Sequence, residues 1–428
     1  MFHNAYFFTT DAGYDAMLHM RYSKIISHEF RIPSFQETRE NYNPPAFYLI
    51  SGLIGRIVST FLNQDFFSSL KAWQYLSVLL ATLSLYLWYK ISLKLFSKNQ
   101  LLSFSFVALI FSLPVFQKTI VMFSIETFFL FLTSLIFYYL AFHFLPKPSY
   151  KTTTILSLLV SLILLTRMSG VVIFLTIVFV FFGLLIIKKI TLKKLILYLG
   201  LLLTIVFLST SWFYIGRRDQ DIYGVGEGGQ PDKPFFQRQP LLFYTDVPFK
   251  FMMTYPVRLH EPLNKLVPIY YSEFWGDFWN YYPQRRFGYP ISIIRKNRYF
   301  SPPKRVANLA LQNQINLLPT LIMIAGFSYF AFKNFYTTFT KPDQKWLIES
   351  SFIVLSIFTW LGFLALLTKY PSWKGDSIKA SYMLYNLPIF VYFSLSFLVI
   401  KLKSKIFLVP IVIWLLIATV INLYWGWF

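Results

Sequence analysis

The 428-residue chain contains no cysteine, which excludes disulfides, thiol catalysis and thiolate metal sites. Charge is scarce. Only 14% of residues are charged, where a soluble domain of this length carries roughly a quarter. Acids are the scarcer sign, at 18 against 40 Lys and Arg. Heptads, solenoid periods and low-complexity tracts are missing. The run Gly224-Val225-Gly226-Glu227-Gly228-Gly229 has no strand pattern before it and no helix pattern after it. It reads as a flexible turn rather than a nucleotide site. No His or carboxylate spacing matches a dedicated metal site, so no cofactor is indicated.

Apolar residues dominate instead, at 56% of the chain, with 21% aromatic. Runs of about 18 to 25 apolar residues recur, the length that crosses a hydrocarbon core of about 30 Å. Many Trp and Tyr lie near run ends, as interfacial belts do. The expected fold is an all-α polytopic membrane protein with about ten transmembrane helices. The spans fall near 72–93, 101–116, 122–145, 153–167, 170–187, 194–214, 308–332, 346–368, 380–400 and 405–425. The pair 153–167 and 170–187 rests on a tight turn at Met168, Ser169 and Gly170. The chain reads as a single unit, 1–428. Residues 1–71 form a first outer loop with juxtamembrane helices, 72–214 a helical block, 215–307 a second outer loop, and 308–428 a second helical block.

The net charge of +22 would suit a nucleic-acid partner if it were concentrated in one domain. Here the lysines sit in short connections: Lys90, Lys94 and Lys98; Lys147 and Lys151; Lys188, Lys189, Lys193 and Lys194; Lys333, Lys341 and Lys345; Lys401, Lys403 and Lys405. That pattern follows the positive-inside rule and assigns these connections to the cytoplasmic side, with no nucleic acid implied. Of the 18 acids, 13 fall in 1–45 and 215–307, on the other side. Residues 46–63 are apolar but interrupted by Arg56. A span there would invert the lysine asymmetry, so a helix along the outer surface is expected. The polar N-terminal segment has no preceding span, which points to a further N-terminal helix in the natural protein.

The chemistry-bearing residues concentrate in the first segment. Asp15, His19 and Tyr22 are spaced by four and three, which places them on one helical face. Ile32-Pro33, Glu37, Glu40 and Asn43-Pro44-Pro45-Ala46-Phe47-Tyr48 follow. A carboxylate beside an imidazole suits general-base work. The proline pair forces an extended entry into a helix that tolerates Pro in its first turn.

This pattern, D-x-x-x-H-x-x-Y, then I-P, then P-P-x-x-Y, resembles the first outer loop of the GT-C glycosyltransferases. That superfamily includes protein O-mannosyltransferases, aminoarabinose transferases and many bacterial relatives. The resemblance implies an enzyme moving a hexosyl or pentosyl group from a polyprenyl-phosphate donor to a lipid, glycan or protein acceptor. It also implies a multi-pass protein of the bacterial plasma membrane, serving the cell envelope. The family's acidic residue, usually an Asp-Glu pair, acts as the base. Asp15 fits the Asp, but Ala16 replaces the Glu, which leaves Asp11 to share or take the role. Thr166-Arg167-Met168-Ser169-Gly170 and Ile378-Lys379-Ala380-Ser381-Tyr382, with Pro388 downstream, are similar to later family motifs.

Such a reaction needs a carboxylate for the hydroxyl proton and cations for the departing phosphate. Arg167, Lys369, Lys374 and Lys379 fall at outer span ends. The expected site therefore comprises Asp15, Asp11 and His19 as catalytic residues. Tyr22, Glu126, Arg167, Asp277, Lys379 and Tyr382 are expected to bind substrate. Competing readings stay open at this stage. Asp11 could cap the following helix or, with Asp15, hold a divalent ion. His19 could simply pack. Glu126 and Arg167 could form a structural pair. Residues 272–282, Ser272-Glu273-Phe274-Trp275-Gly276-Asp277-Phe278-Trp279-Asn280-Tyr281-Tyr282, could stack on sugar rings or form an interfacial belt. The rival functional class is a multi-spanning transporter or lipid flippase, although charges at mid-span and repeated halves would then be expected.

Overall fold

The structure, a computed structural model, describes residues 1–216, 239–257, 263–279, 303–369, 377–401 and 405–425. Lys374, the 224–229 turn and the stretch 280–282 lie outside them, as does most of the second outer loop. Every regular element among the described residues is helical.

The first segment folds as α1 (Phe2–Phe7), α2 (Ala16–Glu29) and a 3-10 turn at Arg39–Tyr42, followed by α3 (Ala46–Leu62) and α4 (Phe66–Ser69). Next come α5 (Lys71–Leu95), α6 (Gln100–Ser112), α7 (Pro114–Thr119) and α8 (Glu126–Tyr139), which continues through a π turn to Phe144. The first block ends with α9 (Tyr150–Leu164), α10 (Gly170–Ile186) and α11 (Leu192–Tyr214). Short helices α12 (Leu241–Thr245), α13 (Phe249–Thr254) and α14 (Leu266–Trp275) belong to the second outer loop. The last block holds α15 (Pro303–Ile315), α16 (Leu317–Thr338), α17 (Gln344–Lys369), a 3-10 segment at Ala380–Asn386, α18 (Leu387–Lys401) and α19 (Lys405–Trp425).

Among the described residues, six helices are long and apolar enough to cross a membrane: Phe66–Leu95, Glu126–Phe144, Leu192–Tyr214, Leu317–Thr338, Gln344–Lys369 and Ala380–Lys401. The expected spans at 101–116, 153–167, 170–187 and 405–425 coincide with the shorter apolar helices Gln100–Ser112, Tyr150–Leu164, Gly170–Ile186 and Val409–Tyr424. The chain is thus an all-α polytopic membrane protein.

Two expected boundaries need correction. The run 101–116 breaks after Ser112, because Pro114 cannot continue α6 and instead opens α7. The run 308–332 is two helices, broken at Asn316. Asn316 exchanges side-chain hydrogen bonds of 2.9 Å with Asn422 in α19. Its amide also donates to the Gln312 carbonyl at 2.8 Å.

The lysine-bearing ends meet at one end of the bundle. Lys94 donates to the Ala141 carbonyl. Lys345 donates to Leu95 at 3.1 Å, and Gln344 to Leu145 at 3.1 Å. Side chains cap the helices that start there: Asn99 accepts from Leu102 N at 3.0 Å and Asp343 from Trp346 N at 2.7 Å, while Ser149 and Thr152 form a capping box. At the opposite end, Ala46 N donates to the Leu165 carbonyl at 2.9 Å, which ties the start of α3 to the end of α9. The 19 residues from Glu126 to Phe144 connect the two ends, a rise of about 28 Å.

α3 packs tightly on α2. A Cβ at Gly52 would come within 2.2 Å of the Ser23 carbonyl oxygen, so only glycine allows this approach. Ser23 and Ser51 share a 2.8 Å hydrogen bond beside it. Arg56, the charge that interrupts this apolar run, donates to the Ser27 carbonyl near the C-terminus of α2 at 2.8 Å. Ile57, Phe61 and Leu62 remain exposed on α3.

Candidate active site

Asp15 is the N-cap of α2. Its backbone is left-handed, with φ 53° and ψ 21°, a conformation that Asp tolerates better than most residues. An Asp at this position ordinarily turns its carboxylate onto the first helical amides. Here it makes no such capping bond. Oδ2 instead pairs with the Lys379 ammonium, 364 residues away in sequence. The Lys379 side chain is 11% exposed and that of Asp15 43%. A buried cation thus holds a carboxylate that is itself partly exposed.

Lys379 lies over the rings of Tyr14 and Tyr382, at 5.2 and 5.4 Å. The other face of the cluster is a second ion pair, between Arg167 in the turn after α9 and Glu126 at the start of α8. Their side chains are 14% and 8% exposed. The Arg167 guanidinium stands 4.5 Å from the Tyr382 ring centre. One aromatic ring therefore carries both cations, which cation–π attraction stabilises against their mutual repulsion.

Beneath Asp15 lies a polar layer. His19 Nδ1 is 2.8 Å from the Tyr48 hydroxyl and 3.7 Å from Glu40 Oε2. Asn43 Nδ2 donates to Glu40 Oε2 at 2.6 Å. Tyr22 stacks on Tyr48, ring centres 3.8 Å apart, and its hydroxyl donates to the Asn43 carbonyl at 3.1 Å. The D-x-x-x-H-x-x-Y and P-P-x-x-Y stretches thus fold onto each other through α2 and α3.

Burial sets the charge states in this layer. It pushes the His19 imidazole down to about 4, against the pull of Asp15. It pushes the Glu40 carboxyl up to about 8, with Asp15 adding to the rise. Between those values both groups are neutral, and their close approach is not an ion pair. Burial is the largest single pull on Lys379 and lowers it, but the charge and hydrogen bond of Asp15, with Tyr382 and Glu40, together outweigh it and hold the ammonium well above the ordinary lysine range. Near neutral pH Asp15 therefore lies between an uncharged layer and two cations.

The expected residues divide by place. Asp15, His19, Glu126, Arg167, Lys379 and Tyr382 come together in one cluster, with Tyr22 packed below it. Asp11 lies in the turn after α1 and is half-buried. Asp277 belongs to a second charged cluster, where its carboxylate accepts from Arg305 at 3.2 Å. Next to it, Lys118 pairs with Glu273, at 2% and 0% exposure. Burial pushes Lys118 down to about 7 and raises Glu273 well above the usual carboxyl range. Glu40 and Tyr48 stand in the first-segment pattern and Glu273 in the 272–282 stretch, none of them as a named site residue, and no motif in the sequence singles out Lys118 or Arg305. The signal for Lys118 was a lone charge between two apolar runs, the setting in which a buried partner is expected.

No family model matches the chain, and neither does any curated protein. Among solved structures it is similar to ArnT from Cupriavidus metallidurans in the apo state, with a TM-score of 0.36 and 11% identity over 88% of this chain and 72% of that one. That likeness concerns the course of the helices, and no residue role rests on it.

Proposed function

We propose that the chain is a membrane glycosyltransferase of the GT-C type, acting at the acid-bearing end of the bundle. The observation that carries this reading is the half-exposed Asp15 carboxylate held by the buried Lys379, in one cluster with the half-buried Arg167. Asp15 accepts the proton of an acceptor hydroxyl as that oxygen attacks the anomeric carbon. The bond from the anomeric carbon to the phosphate oxygen breaks, and its electron pair leaves on the polyprenyl phosphate. Lys379 and Arg167 stabilise the charge gathering there. Glu126 neutralises Arg167 in the resting site. His19, Tyr22 and Tyr382 hold the base and the cations in place. Asp11 backs the base, and Asp277 meets the acceptor from the second outer loop. The motif resemblance supports the same reading from the sequence side.

Turnover of radiolabelled polyprenyl-phosphate sugar in membranes tests the proposal. Within that assay, Lys379→Met should weaken donor affinity by about 1.5–3 kcal/mol, the scale of a charged hydrogen bond, with acceptor affinity little changed. Unaltered donor affinity would remove Lys379 from the phosphate site. A chain that moves the lipid across the bilayer without transferring sugar would be a flippase instead.

The pH dependence should carry the mark of Glu40. Its carboxyl is neutral below about 8 and ionises above it, adding a negative charge beside Asp15 and the anionic donor. Turnover should therefore fall as pH rises through about 8. Glu40→Gln cannot ionise, so its pH–rate profile should lose that descending limb. An identical limb in both proteins would assign it to another group.

A further inference from the structure

The buried Lys118–Glu273 pair takes no part in the reaction proposed above, yet it is the most enclosed ion pair among the described residues. Its bonds are directed at one short stretch of chain. The Lys118 ammonium donates to the Glu273 carboxylate, to the Glu273 carbonyl at 2.7 Å and to the Gly276 carbonyl at 2.7 Å. Those three contacts use all three of its protons. The other Glu273 oxygen accepts from the Trp279 amide at 3.3 Å. Arg305 holds Asp277, between those two residues, through its carbonyl and carboxylate. The end of α14 and the turn to Trp279 are thus fixed from α7 on one side and α15 on the other.

What this rigid stretch holds in turn is the segment that carries Lys379. The Trp279 indole N–H donates to the Ile378 carbonyl at 2.9 Å, with the ring 4% exposed. Lys379 is the next residue, in extended backbone with φ −128° and ψ 118°, before the chain turns into the 3-10 segment. From this geometry we infer that Trp279 is a positioning residue. It transmits the rigidity of the Lys118–Glu273 clamp to Lys379 and so fixes where that ammonium meets Asp15. The second outer loop thereby sets the geometry of the first-loop carboxylate, although the two segments are far apart in sequence. The link to phosphate binding rests on the proposed function; the link from Trp279 to Lys379 does not.

Chemical modification of lysines reads that link directly. Purified full-length protein is treated with acetic anhydride, and modification of each lysine is followed by mass spectrometry. Trp279→Phe keeps an aromatic ring and removes the donor. It should raise the modification rate of Lys379 by about three- to ten-fold, the scale of one lost hydrogen bond. Lys118 should stay at its wild-type rate and so report an intact fold. Trp275→Phe removes a similar indole bond, the 2.7 Å one to Thr320, and should leave Lys379 at the wild-type rate. An unchanged Lys379 rate in Trp279→Phe would overturn the inference. So would Lys118 and Lys379 rising together, because Trp279 would then serve only the fold. Binding of undecaprenyl phosphate by the same proteins separates this inference from the functional one. Selective exposure of Lys379 with no undecaprenyl phosphate bound by the wild type would leave the positioning role standing and reject the donor.

Discussion

Asp15→Asn should lower turnover by roughly 10²- to 10⁴-fold, the range attributed to a general base, while the protein folds and binds donor nearly as before. The substitution keeps the size of the side chain and most of its hydrogen bonding to Lys379 but removes the group that takes the proton. Some loss of stability is expected, because the buried Lys379 ammonium exchanges its carboxylate partner for a neutral amide oxygen, while no helix cap is lost. Steady-state kinetics on membranes, with a melting curve as a control for folding, would check both halves. Asp11→Asn should have the same effect only if Asp11 shares the role left open by Ala16. Full activity in Asp15→Asn together with loss in Asp11→Asn would move the base to the turn after α1. Activity in both variants would end the catalytic reading of this segment.

The second large effect is expected on stability. Arg167 and Glu126 are buried against each other, and removing one member leaves the other charged and without its partner. Arg167→Met should cost about 3–5 kcal/mol, the scale for breaking a buried pair on one side. The double variant Glu126→Gln/Arg167→Met should recover most of that loss, because no charge is then stranded. Denaturant or thermal unfolding in detergent would show the recovery. The same double variant also decides whether Arg167 does more than neutralise Glu126. If its stability returns but its donor affinity does not, Arg167 holds phosphate. If both return, the pair is structural.

The sequence makes the membrane character and the α2–α3 unit readable because those signals are local. Apolar run length marks the long helices. Pro44-Pro45 marks the start of α3, and the four-and-three spacing marks the face of α2. The helix break at Asn316 is different. It depends on Asn422, 106 residues away, and nothing near Asn316 announces it. The pairing of Asp15 with Lys379 spans 364 residues, so each could be proposed as a site residue while their contact could not. Glu40 is legible in the sequence only as one acid of the first segment. Its burial appears only once Asn43 and His19 fold over it. Lys118 is legible as an isolated charge, but its partner Glu273 lies in the aromatic 272–282 stretch, where nothing local points to a buried pair.

The about 28 Å rise that separates the Glu126 end of α8 from the lysine end also bears on supply. A reaction confined to one end can use only reactants already present in that leaflet. A phosphate head group carries its charge through hydrocarbon only at great cost, so a polyprenyl-phosphate donor made on the lysine side would not arrive unaided. A glycosyltransferase built this way works downstream of a translocation step, and its output is limited by how fast another protein turns the donor over. Overproducing this chain alone should then leave the flux of sugar unchanged, whereas raising donor translocation should increase it.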